Sequence, residues 1–569
     1  MLAAASATLL FSLIVTALTL PLAARIPGYP PVLRLALGLA GALIILYLAA
    51  GLIYVSGAAW SWLWLPPVTA IVGCWRMRSA IADLTGDPAV RSTAVGAGLL
   101  ALWCIGLHAV IYSYSGGAWA GDWFEHYERA RFFLHRWPLD HAFLGFGALP
   151  ARPPFANLVT GGLLGLSGDT FAYYQTFTTL LSCLAFFPLA ALVAPDGRDS
   201  PGLRLLPLLL MLNPLFVQNA TFPWTKLAAA FFVMLAFALI RRSLDGGKGG
   251  GLALVMLAAG LITHYSAGPW IIALGAGWWW LARSQPVLSG TRRELLAGAA
   301  AGALLAGTWL LWAAVNYGPQ LLLKATSTVG DAPVAGFRGV LAVTLGNLRN
   351  TLLPDWQAPL FMVFWQQMDA TARLRDIFFI LYQQNLPLAF GLGNLAVLLW
   401  LVRNRHAAPR LRFWWVAGPT VVLLGIAVHT TPVAVGLTHI CLQPLILFGL
   451  AGVAVAWSSL PRWLRRVWVG GVAVDFCLGI ALHFAHQSLL LPRWLHPGDT
   501  PYELTGRWPS SAMLNYAGKQ HLAQPFLADS VLPHAPWVFL ALVTLLGVAL
   551  VRWFRAMRKM TSPGGPVRL

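Results

Sequence analysis

The chain has 569 residues, of which 58% are hydrophobic and only 10% charged, whereas an ordinary soluble protein carries roughly 25% charged residues. With a mean hydropathy of +0.69, this composition excludes a soluble globular enzyme and predicts an all-α polytopic membrane protein. The formal charge of +19 does not indicate nucleic acid, because Lys and Arg collect in short segments between apolar runs, as loops at an anionic membrane surface do.

Runs long enough to cross ~30 Å of hydrocarbon predict about 13–15 transmembrane helices. They fall near 4–23, 33–55, 58–75, 94–114, 172–194, 202–217, 223–240, 251–265, 268–282, 294–315, 386–402, 413–430, 437–456, 466–484 and 536–551. The first lacks a basic leader and is expected to be a retained span rather than a signal peptide. The run at 251–265 is short enough to be tilted, broken or only half across. The five cysteines, Cys74, Cys104, Cys183, Cys441 and Cys477, lie in or beside apolar runs without metal-ligand spacing, so free buried thiols are expected.

If the spans alternate, the basic segments around Arg76, Arg241, Arg283, Arg403, Arg462 and Arg552 share one side, which the positive-inside rule makes cytoplasmic. The three long connections, 115–171, 316–385 and 485–535, then face outward, with the C-terminus inside and the N-terminus outside. The segment 316–385, which includes Leu360 to Trp365, is expected to hold short interfacial helices over a cleft. The segment with Arg493 to His496 and Tyr502 is a second candidate lid. The run Gly246 to Gly251 suggests a flexible cytoplasmic loop.

The densest cluster of ionisable residues is Gly121 to Phe133, in the first outward connection. Drawn as a helix, it places Asp122, Glu125, His126 and Arg129 on one face and Trp123, Tyr127, Ala130 and Leu134 on a neighbouring one. The expectation is an interfacial helix, with aromatic side chains among lipid headgroups and carboxylates toward an aqueous cleft. A solvated loop whose charges merely stay wet is the plainer alternative.

This stretch, followed by Arg152-Pro153-Pro154-Phe155 and then by Asn213-Pro214 and Thr221-Phe222-Pro223-Trp224-Thr225-Lys226, resembles the polytopic GT-C glycosyltransferases. The likeness is to bacterial relatives of protein O-mannosyltransferases and lipid A aminoarabinose transferases. It covers residues 94 to 320 by motif and the remainder by hydropathy pattern. One departure is that many relatives have adjacent Asp-Glu where this chain has Asp122-Trp123, which leaves the base open between Asp122 and Glu125.

The resemblance divides the chain into an appended N-terminal transmembrane module at 1–93, a GT-C-like catalytic module at 94–320 and a C-terminal transmembrane region at 321–569. It implies transfer of a sugar from a polyprenyl-phosphate donor to a lipid, glycan or protein acceptor, at the outer face of the cytoplasmic membrane. Membrane lipids are the surroundings and nucleic acid is not a partner. Direct displacement at the anomeric carbon needs one carboxylate as base, here Asp122 with Glu125 in reserve, and cations to meet the leaving phosphate. Arg152 stands where relatives carry a basic residue facing that phosphate.

Further substrate-binding candidates are His126, Tyr127, Lys226 and His264. Against these stand ordinary structural explanations: snorkelling for Lys226, and a hydrogen-bonded helix end for His264. His439 and Gln443 form an i, i+4 polar pair suited to interhelical bonding. Asp122, Glu125 and His126 have a spacing a metal could use, but no metal and no cofactor are expected. Outward Arg338, Arg349, Arg373, Arg375, Asp331, Asp355 and Asp369 are not separable by sequence. A multi-pass transporter and a non-catalytic subunit of the same fold are the alternative functions.

Overall fold

The structure is a computed structural model that describes residues 2–111, 122–143, 147–283, 292–326, 336–354, 370–404, 414–428, 442–485, 527 and 534–560. The segments around Leu360 to Trp365 and Arg493 to Tyr502, with His439, Asp331, Asp355 and Asp369, lie outside the described residues. Among the described residues the regular structure is helical with no strand, and the one β-type pairing is an isolated bridge between Phe143 and Gly147.

The first helices are α1 (Leu2–Ala24), α2 (Pro31–Ser56), α3 (Leu65–Arg76), α4 (Arg78–Gly86) and α5 (Pro88–Leu107). Next come α6 (Asp122–His135), α7 (Phe155–Ser167), α8 (Phe171–Cys183), α9 (Phe186–Val193), α10 (Pro201–Met211), α11 (Pro214–Thr221) and α12 (Lys226–Leu244). They are followed by α13 (Gly250–Thr263), α14 (Gly268–Arg283), α15 (Arg292–Tyr317), α16 (Pro319–Thr326), α17 (Gly336–Leu352) and α18 (Ala370–Gln384). The last are α19 (Leu386–Phe390), α20 (Leu392–Arg403), α21 (Trp414–Val428), α22 (Leu442–Ala456), α23 (Arg462–Asp475), α24 (Leu482–Ala485) and α25 (Ala535–Met560).

Eight stretches among the described residues are long and apolar enough to cross a membrane, and nine if the bent pair α10–α11 is one span. The chain is a multi-pass membrane protein. Some expected spans are shorter in the structure: the run near 58–75 is a 3-10 turn at Trp60–Trp64 plus the 12-residue α3, and α13 and α20 have 14 and 12 residues. At 1.5 Å per residue such helices cannot cross ~30 Å alone.

The α10–α11 break has a local cause. Pro214 cannot continue a helix, and Asn213 caps the new one by accepting the Phe216 N–H at 2.9 Å. Its amide also donates to the carbonyls of Ala389 and Phe390 at 3.0 and 3.1 Å, which fixes the 65° bend against α19. Between α23 and α24 the chain runs through one π-helical stretch, Phe476–Ala481. The expected flexible loop at Gly246–Gly251 is instead a tight turn. Gly250 already begins α13, and Glu294 of α15 accepts the N–H groups of Gly249 and Gly251 at 2.9 and 3.3 Å. A carboxylate capping a helix from another element makes this turn a packed joint.

The N-terminal helices share the main core rather than standing apart, with buried side chains running continuously from Ala7 through the central helices. They also hold α6. Trp60 Nε1 donates to the Leu134 carbonyl at 2.9 Å, and Arg136 donates to the carbonyls of Ile53 and Ala58. Arg136 has φ 50°, the left-handed conformation that closes a helix C-terminus. On its other side α6 lies so close to α7 that a Cβ on Gly161 would meet the Ala130 carbonyl oxygen at 2.5 Å.

Gly161→Ala is therefore expected to lower the thermal unfolding midpoint in detergent, by overpacking of order 1–3 kcal/mol. Gly98→Ala in α5, where an added Cβ meets nothing within 4 Å, is expected to leave the midpoint unchanged or raise it slightly.

Candidate functional site

Helix α6 carries the centre of the site. It is not the surface helix the sequence suggested: Trp123, Phe124, Glu125, His126, Tyr127, Glu128 and Arg129 are all buried. The aromatic face packs on protein, with Trp123 edge-on to Phe171 at 4.9 Å and Tyr127 edge-on to the same ring at 5.1 Å. The reason is α7 and α8, which supply an apolar wall where a lipid interface was expected.

The predicted charged face does form. Arg129, fully buried, donates through Nε and Nη2 to Glu125 Oε1 at 3.0 and 2.7 Å, and its remaining donors reach the carbonyls of Leu149 and Ala148. Its guanidinium also lies 4.2 Å from the centre of the Phe143 ring. The other carboxylate oxygen, Glu125 Oε2, faces Arg152 Nη2 at 3.5 Å. Glu125 is thus held between two guanidinium groups. Burial raises its pKa, but Arg152 and Arg129 outweigh that and keep the carboxyl ionised, with a value lowered to about 2.

Asp122, one turn earlier, is in a different state. Its Oδ2 accepts the Trp224 indole N–H at 3.1 Å, and it has no ion pair within 4 Å among the described residues. Burial pushes the Asp122 carboxyl up to about 6, the charge on Glu125 adds to this, and Arg152, Lys226 and the indole N–H oppose it. Two carboxylates one turn apart are therefore driven in opposite directions. That separation is what distinguishes an acid–base residue from an anchoring one.

The cations complete the arrangement. Arg152 follows the 3-10 turn Leu149–Ala151, keeps 21% of its side-chain exposure and meets Glu125 only at 3.5 Å. Lys226, the first residue of α12, is 4% exposed and lies over the Trp224 ring at 4.3 Å. Among the described residues it has no ion-pair or hydrogen-bond partner, and its charge acts on Asp122. Trp224 thus links the two, donating to Asp122 from its edge while its face carries Lys226.

His126 donates from Nδ1 to Asn157 Oδ1 at 3.3 Å, and burial pushes its pKa down to about 3, leaving a neutral ring. His264 accepts the Ser266 N–H at Nδ1 at 3.0 Å, so the neutral ring carries its proton on Nε2. It is within electrostatic range of Lys226, Arg152 and His126. Beside it, Tyr265 donates to the Pro150 carbonyl at 3.1 Å and accepts from Trp309 Nε1 at 3.0 Å, tying α13 to the segment that carries Arg152.

Of the sequence candidates, Asp122, Glu125, His126, Arg152, Lys226 and His264 come together. Tyr127 does not: its hydroxyl donates to Asp169 Oδ1 at 3.0 Å, on the loop between α7 and α8. Asp169 was not anticipated. It also accepts from Arg131 Nε at 2.8 Å and pairs with His135 Nε2 at 2.7 Å. The three partners sit four residues apart on α6, a periodicity visible in sequence, but nothing in the sequence shows that Asp169 meets it. Arg129 was readable as the i+4 partner of Glu125, whereas the roles of Asn157 and Trp224 needed the fold. Among the described residues no group of three or more His, Cys, Asp or Glu side chains is arranged to hold a metal. No family model matches the chain, and neither the curated proteins nor the solved structures yield a match.

The Asp169 cluster predicts a pH-dependent tether. Its three partners hold the Asp169 pKa below the usual carboxylate range, so its stabilisation is present above about pH 4 and is lost as pH falls below that. Asp169→Asn should lower the unfolding midpoint at pH 7, and the gap from the unmodified protein should narrow below about pH 4.

Proposed function

We propose that the protein is an integral-membrane glycosyltransferase of the GT-C kind. It moves a sugar from a polyprenyl-phosphate carrier to a lipid, glycan or protein acceptor at the outer face of the cytoplasmic membrane. The observation that carries this reading is the pairing of one buried carboxylate near neutral pKa, Asp122, with two cations whose charge is incompletely used, Arg152 and Lys226. A base and an anion site side by side are what displacement of a phosphate from an anomeric carbon requires.

In this mechanism the acceptor hydroxyl or amine gives its proton to Asp122 while its heteroatom attacks the anomeric carbon. The bond from that carbon to the carrier phosphate breaks, and the charge left on the phosphate is met by Arg152 and Lys226. Glu125 is the positioning residue: locked to Arg129, it sets where Arg152 stands. His126 and His264, both neutral, offer ring nitrogens for sugar hydroxyls. The division of labour favours Asp122 over Glu125 as base, because a carboxylate near 2 is a poor proton acceptor and one near 6 is well matched to neutral pH.

With purified protein and a panel of polyprenyl-phosphate sugars, Asp122→Asn should reduce transfer by about 10²–10⁴-fold. Its unfolding midpoint at pH 7.5 should be equal or higher, since burial of the charged form costs stability in the native protein. That cost is absent below about pH 4, grows between there and the folded value of about 6, and is level above it. Transfer at normal rate by both Asp122→Asn and Glu125→Gln would remove the base assignment.

Transfer should rise with pH across an apparent value near 6. Because Arg152 and Lys226 both lower the Asp122 pKa, replacing either with Gln should move that limb to higher pH, Arg152→Gln more than Lys226→Gln. An acid limb that stays in place in both variants would separate Asp122 from the rate.

A second reading, a transporter, draws on the broken span α10–α11. Beside it a buried amide chain runs from Gln443 to Asn219, Gln383 and Gln218, with N···O distances of 3.3, 2.7 and 2.8 Å. Discontinuous helices line substrate sites in many transporters. This chain, however, is built of neutral side chains bonded to one another and ends on the Gly479 carbonyl at 2.9 Å, so it functions as interhelical glue. Substrate flux into vesicles without any new glycosidic product would favour the transporter.

A further inference from the structure

A cavity lies at the end of α12 opposite Lys226. From Lys226 to Arg242 the helix rises roughly 24 Å at 1.5 Å per residue, close to the thickness of the hydrocarbon layer. The cavity, about 650 Å³, opens between the start of α2, the end of α9, the end of α12 and the middle of α22. Its inner wall is apolar and includes the edge-on pair Phe237 and Phe448, with ring centres 5.5 Å apart. Its mouth carries Arg241, Arg242, Asp196 and Asp245.

The mouth is shaped rather than incidental. The turn after α12 uses Gly246 at φ 83° and Gly247, where a Cβ would meet Arg242 Cγ at 2.7 Å. Arg242 is drawn across the opening by its Nη2 bond to the Gly28 carbonyl at 2.8 Å and by the Tyr29 ring, 5.1 Å from its guanidinium carbon. Its Nε is buried with no hydrogen-bond partner. Arg241 Nε meets Asp245 Oδ2 at 3.3 Å, a pair whose carboxylate side chain is 64% exposed. Such an exposed pair contributes little and exchanges readily for another partner.

We propose that this cavity is a binding site for a membrane phospholipid whose headgroup carries both a phosphate and a primary ammonium, as in phosphatidylethanolamine. The apolar wall at a membrane boundary takes the start of an acyl chain, which a soluble phosphate lacks. The phosphate meets the guanidinium groups of Arg242 and Arg241. Two guanidinium groups and two carboxylates make the mouth electrically balanced, so a purely anionic headgroup leaves Asp196 and Asp245 facing negative charge. A primary ammonium meets them with hydrogen bonds that a quaternary one cannot donate. The site is separate from the Asp122 cluster, and its occupancy does not depend on what that cluster does.

The test is lipid retention by the full-length protein. Purified protein is exchanged into detergent containing equal phosphatidylethanolamine, phosphatidylglycerol and phosphatidylcholine, then washed and analysed by native mass spectrometry. The expected result is one retained phosphatidylethanolamine, with retention reduced about tenfold or more in Arg242→Gln. Should that variant fail to fold, Ala451→Phe, which fills the cavity from α22, should displace the lipid in its place. Preference for phosphatidylglycerol, equal retention of all three lipids, retention of none, or retention unchanged in the folded variant would each overturn the proposal.

Discussion

The structure depends on how it keeps charge inside an apolar bundle. Glu125 lies between Arg129 and Arg152, and the guanidinium of Arg129 is fully buried. Removing Glu125 would leave two guanidinium groups without their shared carboxylate in a low-dielectric interior, so the three side chains hold one another in register. Everything nearby answers to that trio. The carbonyls of Ala148 and Leu149 turn toward Arg129, and this places the following Arg152 beside the carboxylates. With Glu125 committed to the guanidinium groups, burial raises the proton affinity of Asp122, and the charge on Glu125 adds to this, while the indole N–H of Trp224 and the cations Arg152 and Lys226 offset it only in part.

Around this trio the fold supplies rigidity from three directions. Asp169 gathers Tyr127, Arg131 and His135, which are successive turns of one helix. The N-terminal helices hold the other end of α6 through Trp60 and Arg136. Tyr265 ties the Arg152 segment to α13 and α15. Precise placement of reactive groups requires supports of this kind, because a site built on an unsupported loop drifts. The N-terminal helices, which by sequence looked like an addition to a complete unit, are part of the frame that sets α6.

Much of this was legible in the sequence because it rests on local rules. Hydropathy gave the membrane-spanning, all-helical class, and helical spacing gave the Glu125–Arg129 face and the placing of Asp122 at the start of its helix. Arg152, Lys226 and His264 were picked out by chain position and by a motif likeness. What could not be read was which surface α6 would bury. Its aromatic face suits lipid headgroups and a protein wall equally well, and only the presence of α7 and α8 decides. The same holds for Tyr127, whose hydroxyl serves Asp169, and for Trp224, whose edge and face join residues about a hundred positions apart in the chain. The glycine-rich turn after α12 misled for a related reason: its cap, Glu294, comes from a helix that starts more than forty residues later.

The π-helical stretch Phe476–Ala481 has a geometric effect on its span. Inserting one residue into a turn advances every later side chain by about 100° around the axis. Asp475, before it, accepts the Tyr382 hydroxyl at 3.0 Å, while Gly479, within it, offers its carbonyl to Gln218. An uninterrupted α-helix would swing one of these two contacts out of alignment. The wide turn lets a single rod address two separate neighbours, α18 and α11, with its polar groups aimed at both.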